Sequence, residues 1–429
     1  MADRYHNSEE LLERALKSIP LGSQTFSKSK TQYPWGVSPY FITRGQGSHV
    51  WDVDGNEYID FVNSLAAVTL GYNDPDVTAV VRAQLEEGII FSLPHPIEMQ
   101  VAEKIVEMVP CAEMVRFGKN GSDATSGAIR LARAYTSRDH VAVCGYHGWQ
   151  DWYIGSTARN RGVPKSTQDM THVFIYNDIE SLNNIFTGYP GQVAAVIMEP
   201  MNTTEPADGF LAKAKDLTNK NGAVFIFDET ITGFRYANGG AQEYFGVTPD
   251  LATFGKGLAN GYPVSAIAGR TEIMRLMEEI FFSFTFGGET LSLVAALATI
   301  TKLQKKPVLK TVWEQGKKVV DSVNVLIKRH GLQEVLSTSG KPCWSFLIFR
   351  DTAGCTQWEL KTLFLQEVFA RGLLTVGTHN MSYTHSDEDI QKLVDIYDAV
   401  FAILKDVAEN GSIKKYLHCE PLVPLFKVR

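Results

Sequence analysis

Asp228 and Lys256 stand in surroundings that point to chemistry. The aspartate ends the apolar run AVFIFD. Open α/β sheets bind ligands at the carboxyl ends of their strands, and a carboxylate on a buried strand needs a partner. A helix cap or a structural ion pair would meet that need equally well. Lys256 lies between Gly255 and Gly257 in TFGKGLANGYP. Small neighbours allow a ligand to approach closely, and a lysine that loses its proton can form an imine with an aldehyde. An ordinary surface lysine in a glycine loop looks the same. A phosphate-binding P-loop is excluded, because Gly257 replaces the required Ser or Thr.

Two further stretches add binding chemistry. In GKNGSDATSGAIRLARAYT, Gly121 and Ser122 open an amphipathic helix. A helix N-terminus offers free N–H groups and the positive end of a dipole, which suit a phosphate. Ser122 can also serve as a plain N-cap. In CGYHGWQDWY, just after a predicted strand, Tyr146 or His147 can stack on a flat ring, with aromatic packing as the alternative. Glu199, in the Met-Glu-Pro turn after another strand, is a supporting candidate. No G-x-G-x-x-G opens a helix after a strand, which argues against a nicotinamide dehydrogenase.

These residues need a scaffold, and the patterning supplies one. From about residue 75, helical and strand-like segments alternate. The runs AAVIM and AVFIF are continuously apolar, as expected of parallel strands covered by helices on both faces. Before this, a helix is predicted from Ser8 to Ser18, with Asn7 and Glu10 at capping-box spacing. Asp54-Gly55 between alternating apolar residues reads as a hairpin turn. After about residue 310 come a helix, mixed strands and a final helix starting near Ser386. The predicted layout is a large α/β domain over 71–310 and a smaller α+β domain built from 1–70 and 311–429.

The bulk composition removes other classes. The chain has 429 residues, 44% hydrophobic and 21% charged, which fits an ordinary globular protein of two or three domains. A net charge of −7 gives no pull towards nucleic acid or an anionic membrane. The five cysteines form no CxxC pair, so a disulfide framework is not expected. The charged start MADRYHNSEELL lacks the apolar core of a secretory signal, and no run reaches membrane-span length. A cytoplasmic protein is the expectation.

The stretch Phe225–Arg270 combines an apolar strand, Asp-Glu, Gly-Phe-Arg, Pro-Asp-Leu and Gly-Lys. With NGSDATSGAIRLARAYT, YHGW and SDEDI, it resembles the class III (omega) aminotransferases of PLP fold type I, over nearly the whole chain. Within that class the nearest resemblance is to glutamate-1-semialdehyde aminomutase and its relatives. The resemblance implies pyridoxal 5′-phosphate as cofactor, Lys256 as its Schiff-base lysine and proton shuttle, and Asp228 as partner of the pyridine nitrogen. It implies that Gly121 and Ser122 hold the phosphate, that Tyr146 stacks on the ring, and that His147 lies beside it. Thr230 falls where the family usually carries Val or Ile against the other ring face. FTFGGET resembles the segment whose threonine, here Thr285, reaches the phosphate of a neighbouring subunit. That implies a homodimer with shared active sites.

An amino donor and a carbonyl acceptor are the implied small-molecule partners. The aminomutase resemblance includes an N-terminal arginine that grips the substrate carboxylate. Here QTFSKSKTQYP offers Lys28 and Lys30 instead, and lysine is the poorer bidentate clamp. The C-terminal acidic substrate contact is also missing from LLTVGTHNMSYTH. An aminotransferase is therefore favoured over a glutamate-1-semialdehyde 2,1-aminomutase. The resemblance to relatives with similar QTFSKS and KNGSDAT segments, a family-level analogy, implies a keto-sugar derivative of polysaccharide biosynthesis as a candidate acceptor. A catalytically inactive PLP-fold scaffold is the alternative of another class, and the presence of both Lys256 and Asp228 argues against it.

Overall fold

Apolar strands that must bury both faces form the centre of residues 75–309. The computed structural model describes residues 4–411 and 413–423. Among these, a seven-stranded sheet runs in the order Met114–Gly118, Ser265–Gly269, Leu251–Phe254, Val224–Asp228, Val193–Met198, His140–Cys144, Thr171–Val173. The last five are mutually parallel, and Ser265–Gly269 is antiparallel to both of its neighbours. Every residue of Val193–Met198 and Val224–Asp228 is buried, as continuous apolar runs require when helices cover both faces. One cluster joins Ala128, Ile129 and Leu131 of helix Gly121–Thr136 to Val143, Ile197 and Ile226. Another joins Phe210 and Ala214 of helix Phe210–Lys220 to Val196, Phe225 and Phe227.

Residues 4–74 and 310–423 make up a second compact unit. It holds the sheet Ile42–Gln46, His49–Asp52, Glu57–Asp60, Leu373–Leu374, and a three-stranded antiparallel sheet Leu336–Lys341, Trp344–Phe349, Thr378–Asn380. Helices Gln357–Ala370 and Asp387–Asn410 add Phe364 and Tyr397, whose rings meet edge-on at 5.2 Å.

Two helix starts differ in their outcome. Ser386 caps helix Asp387–Asn410 in a reciprocal capping box with Asp389. The first helix spans His6–Ser18 without a side-chain cap from its own sequence. Asp54 of the hairpin turn accepts the amides of Asn7 (2.7 Å) and Ser8 (3.0 Å) instead. The Asn7–Glu10 capping box is therefore replaced by a tertiary cap, which satisfies the same orphan donors.

Among the described residues, no helix is long and apolar enough to cross a membrane.

Candidate active site

The candidate residues within 75–309, Thr285 apart, follow the carboxyl ends of strands. Gly121 and Ser122 follow Gly118, Tyr146 and His147 follow Cys144, Glu199 follows Met198, Asp228 ends its own strand, and Lys256 follows Phe254. This is the edge at which open α/β sheets bind ligands.

Asp228 is 4% exposed, and both of its oxygens are hydrogen-bonded. Its Oδ2 lies 2.8 Å from His147 Nδ1. Its Oδ1 accepts from Thr230 N (3.1 Å), Thr230 Oγ1 (2.6 Å) and Thr253 Oγ1 (3.2 Å). Burial alone would raise its pKa, but the hydrogen bond and charge of His147 and the Thr230 donors hold it below the ordinary carboxylate range. His147 Nε2 donates to the Cys144 carbonyl at 3.1 Å, which fixes the ring from its other side.

The loop carrying Tyr146 and His147 is fastened by its glycines. Gly145 (φ +107°) and Gly148 (φ +104°) adopt backbone that L side chains rarely take. A Cβ on Gly145 would lie 2.5 Å from Glu199 Oε2, and one on Gly148 2.3 Å from Ser122 Oγ. Glu199 accepts the Tyr146 amide at 3.0 Å. Ser122 Oγ accepts the Trp149 amide at 3.3 Å, and Thr125 Oγ1 donates to the His147 carbonyl at 2.8 Å. Tyr146 stays half exposed, with one edge on Tyr153. Burial, then the nearby Asp228 charge, pushes the Glu199 carboxyl up.

Lys256 begins a short 3-10 turn with φ 45°, in the left-handed region. For a residue with a side chain this costs on the order of 1 kcal/mol, and such strain clusters at functional sites. Its amine has no hydrogen-bond or ion-pair partner among the described residues. Burial lowers its pKa, against the opposing pull of Glu199 and Asp228, and the buried Arg235 adds to the lowering.

These groups suit pyridoxal phosphate. Asn120, not Ser122, caps helix Gly121–Thr136, and its capping box engages the amides of Asn120 and Asp123. The first-turn amides of Gly121 and Ser122 are left for an anion. Near Lys256 the surface is close and small: a Cβ on Gly121 would lie 3.1 Å from Thr230 Cγ2, and one on Gly255 3.4 Å from the same atom. Ser265 Oγ, fully buried on the next strand, has no hydrogen-bond partner among the described residues.

Two candidates do not follow these strand ends. Thr285 is exposed in the segment before helix Thr290–Lys305. Lys28 belongs to the other unit, where its Nζ donates to Ser64 Oγ at 3.5 Å. With Tyr33, Asp60, Ser64 and Tyr72 it lines a pocket of about 300 Å³. Thr253 and Arg235 were not singled out from the sequence. Thr253 is an isolated hydroxyl in an apolar strand, and no spacing marks it as a partner of Asp228.

The likeness to known proteins extends over nearly the whole chain. The family model "Aminotransferase class-III" matches residues 32–400. The 3-aminobutyryl-CoA aminotransferase of Cloacimonas acidaminovorans (strain Evry) is 34% identical over 421 residues, covering 96% of this chain and 98% of that protein. The glutamate-1-semialdehyde 2,1-aminomutase of Desulforamulus reducens is 34% identical over 423 residues, covering 92% and 97%. Among solved structures, the PLP internal aldimine form of the FumI protein of Sphingopyxis sp. MTA144 matches with TM-score 0.87 at 30% identity, covering 93% of this chain and 97% of that one. This chain belongs to the class III aminotransferases, enzymes whose cofactor is pyridoxal 5′-phosphate.

Proposed function

We propose that the enzyme moves an amino group from an amino donor to a separate carbonyl acceptor, with Lys256 as the covalent anchor and base and Asp228 as the partner of the cofactor ring nitrogen. The observation that carries this reading is the pairing of unlike groups at adjacent strand ends: a buried carboxylate held ionised by His147 and Thr230, and a part-buried amine without a partner among the described residues. When bound, the cofactor supplies a conjugated cationic ring that accepts the electron pair left by a departing proton.

The protein groups divide the remaining work. Asp228 supplies a fixed negative charge that favours a protonated ring nitrogen. Gly121 and Ser122 present amides to the phosphate. Tyr146 offers an exposed aromatic face to the ring. Lys256 has its pKa lowered by burial, so more of its amine is neutral and able to take a proton from the donor carbon.

The lysine at position 28, in place of a bidentate arginine clamp, favours transferase over mutase. The aminomutase name of a 34% identical relative supports the second reading. Incubation with an amino donor alone tests the choice. A transferase converts its cofactor to the pyridoxamine form once per site and stops until an acceptor is added. Rapid acceptor-independent conversion of glutamate 1-semialdehyde to 5-aminolevulinate overturns it. An acceptor screen should include a keto-sugar derivative, expected from the sequence, and a 3-oxoacyl thioester, the counterpart of the relative's named substrate.

A homodimer with shared sites also belongs to this proposal. Leu93 is 79% exposed and Phe281 84%, with Ile89, Ile90, Phe91, Phe284 and Phe286 also exposed. The two segments adjoin, since Thr290 donates its amide to the Ile89 carbonyl at 3.0 Å. So large an apolar surface is suited to burial against a second copy. The cytoplasm is the proposed compartment, consistent with five free cysteines.

A further inference from the structure

We infer that Thr230 sets the basicity and the orientation of Asp228, and thereby how firmly the cofactor ring nitrogen keeps its proton. The inference rests on the reading that Asp228 faces that nitrogen. Thr230 acts through Asp228 and is a positioning residue.

The two oxygens of Asp228 are unequally occupied. Oδ1 accepts from Thr230 N (3.1 Å), Thr230 Oγ1 (2.6 Å) and Thr253 Oγ1 (3.2 Å), whereas Oδ2 accepts only from His147 Nδ1 (2.8 Å). An ionised carboxylate offers about four acceptor positions, two on each oxygen. Oδ1 is thus saturated, and Oδ2 retains one position for a further donor. The Thr230 hydroxyl makes the shortest of the four contacts. It therefore helps decide which oxygen is left to receive the ring N–H.

Packing holds that hydroxyl in place. Thr230 is β-branched, so its χ1 is restricted. Its Cγ2 would lie 3.1 Å from a Cβ on Gly121 and 3.4 Å from one on Gly255, so the methyl sits between the phosphate-binding turn and the lysine turn. With the methyl lodged there, the hydroxyl points to Asp228. An aliphatic residue, which the family resemblance leads one to expect, would fill the space without the donor. A donor on an ionised carboxylate stabilises the anion and makes it a weaker base. Threonine here should weaken the hold of Asp228 on the ring proton, while His147 keeps the carboxylate ionised.

The test uses holoenzyme reconstituted with pyridoxal phosphate labelled with 15N in the ring. The 15N shift is followed against pH in wild type and in Thr230→Val, Thr230→Ala, Thr230→Ser and Asp228→Asn, with borohydride trapping to confirm loading on the lysine. Thr230→Val should keep the ring nitrogen protonated to a pH higher by about one unit, a tenfold change in proton affinity. Thr230→Ala makes the same deletion without the added methyl, and serves if the valine variant does not fold. Thr230→Ser should titrate with wild type. Coincidence of Thr230→Val or Thr230→Ala with wild type, while Asp228→Asn loses the ring proton, overturns the inference alone. Serine behaving like valine also overturns it. An unchanged ring nitrogen in Asp228→Asn overturns the reading on which it stands.

Discussion

Nδ1 of His147 lies 2.8 Å from Oδ2 of Asp228, with both side chains almost wholly shielded from solvent. Charge-assisted bonds in such surroundings are among the stronger ones. Removal of one partner strands the other. His147→Ala should lower the stability of the cofactor-free protein by about 1–3 kcal/mol and weaken cofactor retention. Urea unfolding and dialysis against buffer measure the two effects. Unchanged stability would mean that the pair is not formed in solution.

Lys256→Ala should fold normally, because it removes a side chain whose amine has no partner among the described residues. The borohydride-trappable linkage should vanish, and steady-state transamination should fall by roughly 10²–10⁴-fold or more. Retention of either in pure variant protein would reassign the lysine.

The two carboxylates should respond oppositely to pH. The folded pKa of Asp228 is depressed, so its contribution to stability is present above the ordinary carboxylate range and is lost as pH falls through the folded value. The folded pKa of Glu199 is raised, so the charged form is penalised, and stability falls as pH rises from the ordinary range through the raised value. In the cofactor-free protein at about pH 7, Asp228→Asn should lower Tm and Glu199→Gln should raise it. The Glu199→Gln difference should shrink away by about pH 4, whereas the Asp228→Asn difference should persist there and shrink only below it. Melting curves across that interval decide the matter, and parallel offsets at every pH would contradict it.

Gly148→Ala places a Cβ 2.3 Å from Ser122 Oγ at φ +104°. Steric overlap and backbone strain together should cost about 1–3 kcal/mol. If the turn that holds Ser122 offers its amides to the phosphate, as proposed, cofactor affinity should fall with stability. Calorimetric titration with pyridoxal phosphate reads this directly. Wild-type affinity would separate the loop from the binding turn.

If Thr285 serves the partner's cofactor, mixing two inactive chains should restore function. Hybrids of Lys256→Ala with Thr285→Ala would contain one site built from intact halves. Recovery of up to about a quarter of wild-type activity is expected for random pairing of equal amounts of the two chains. Hybrids that form without recovery would place Thr285 within its own site or outside any.

Local pattern made some of this legible in advance. The buried apolar run ending in Asp228, the glycines around Lys256 and the capping pattern at Ser386 depend on neighbours in sequence, and strand and helix periods expose them. Nothing local could reveal that His147 meets Asp228 across 81 positions, that Thr253 shares the same carboxylate, or that Asp54 caps the first helix. Those contacts depend on strand order and on how loops return to the sheet. The unusual backbone of Lys256 and the neighbours of Thr230 have the same origin. The sequence determined which residues were fit for the chemistry, because side-chain type and local period are written in it. Only the tertiary structure decided which polar group pairs with which, because a buried donor or acceptor takes its partner from whatever the packed chain brings within about 3 Å.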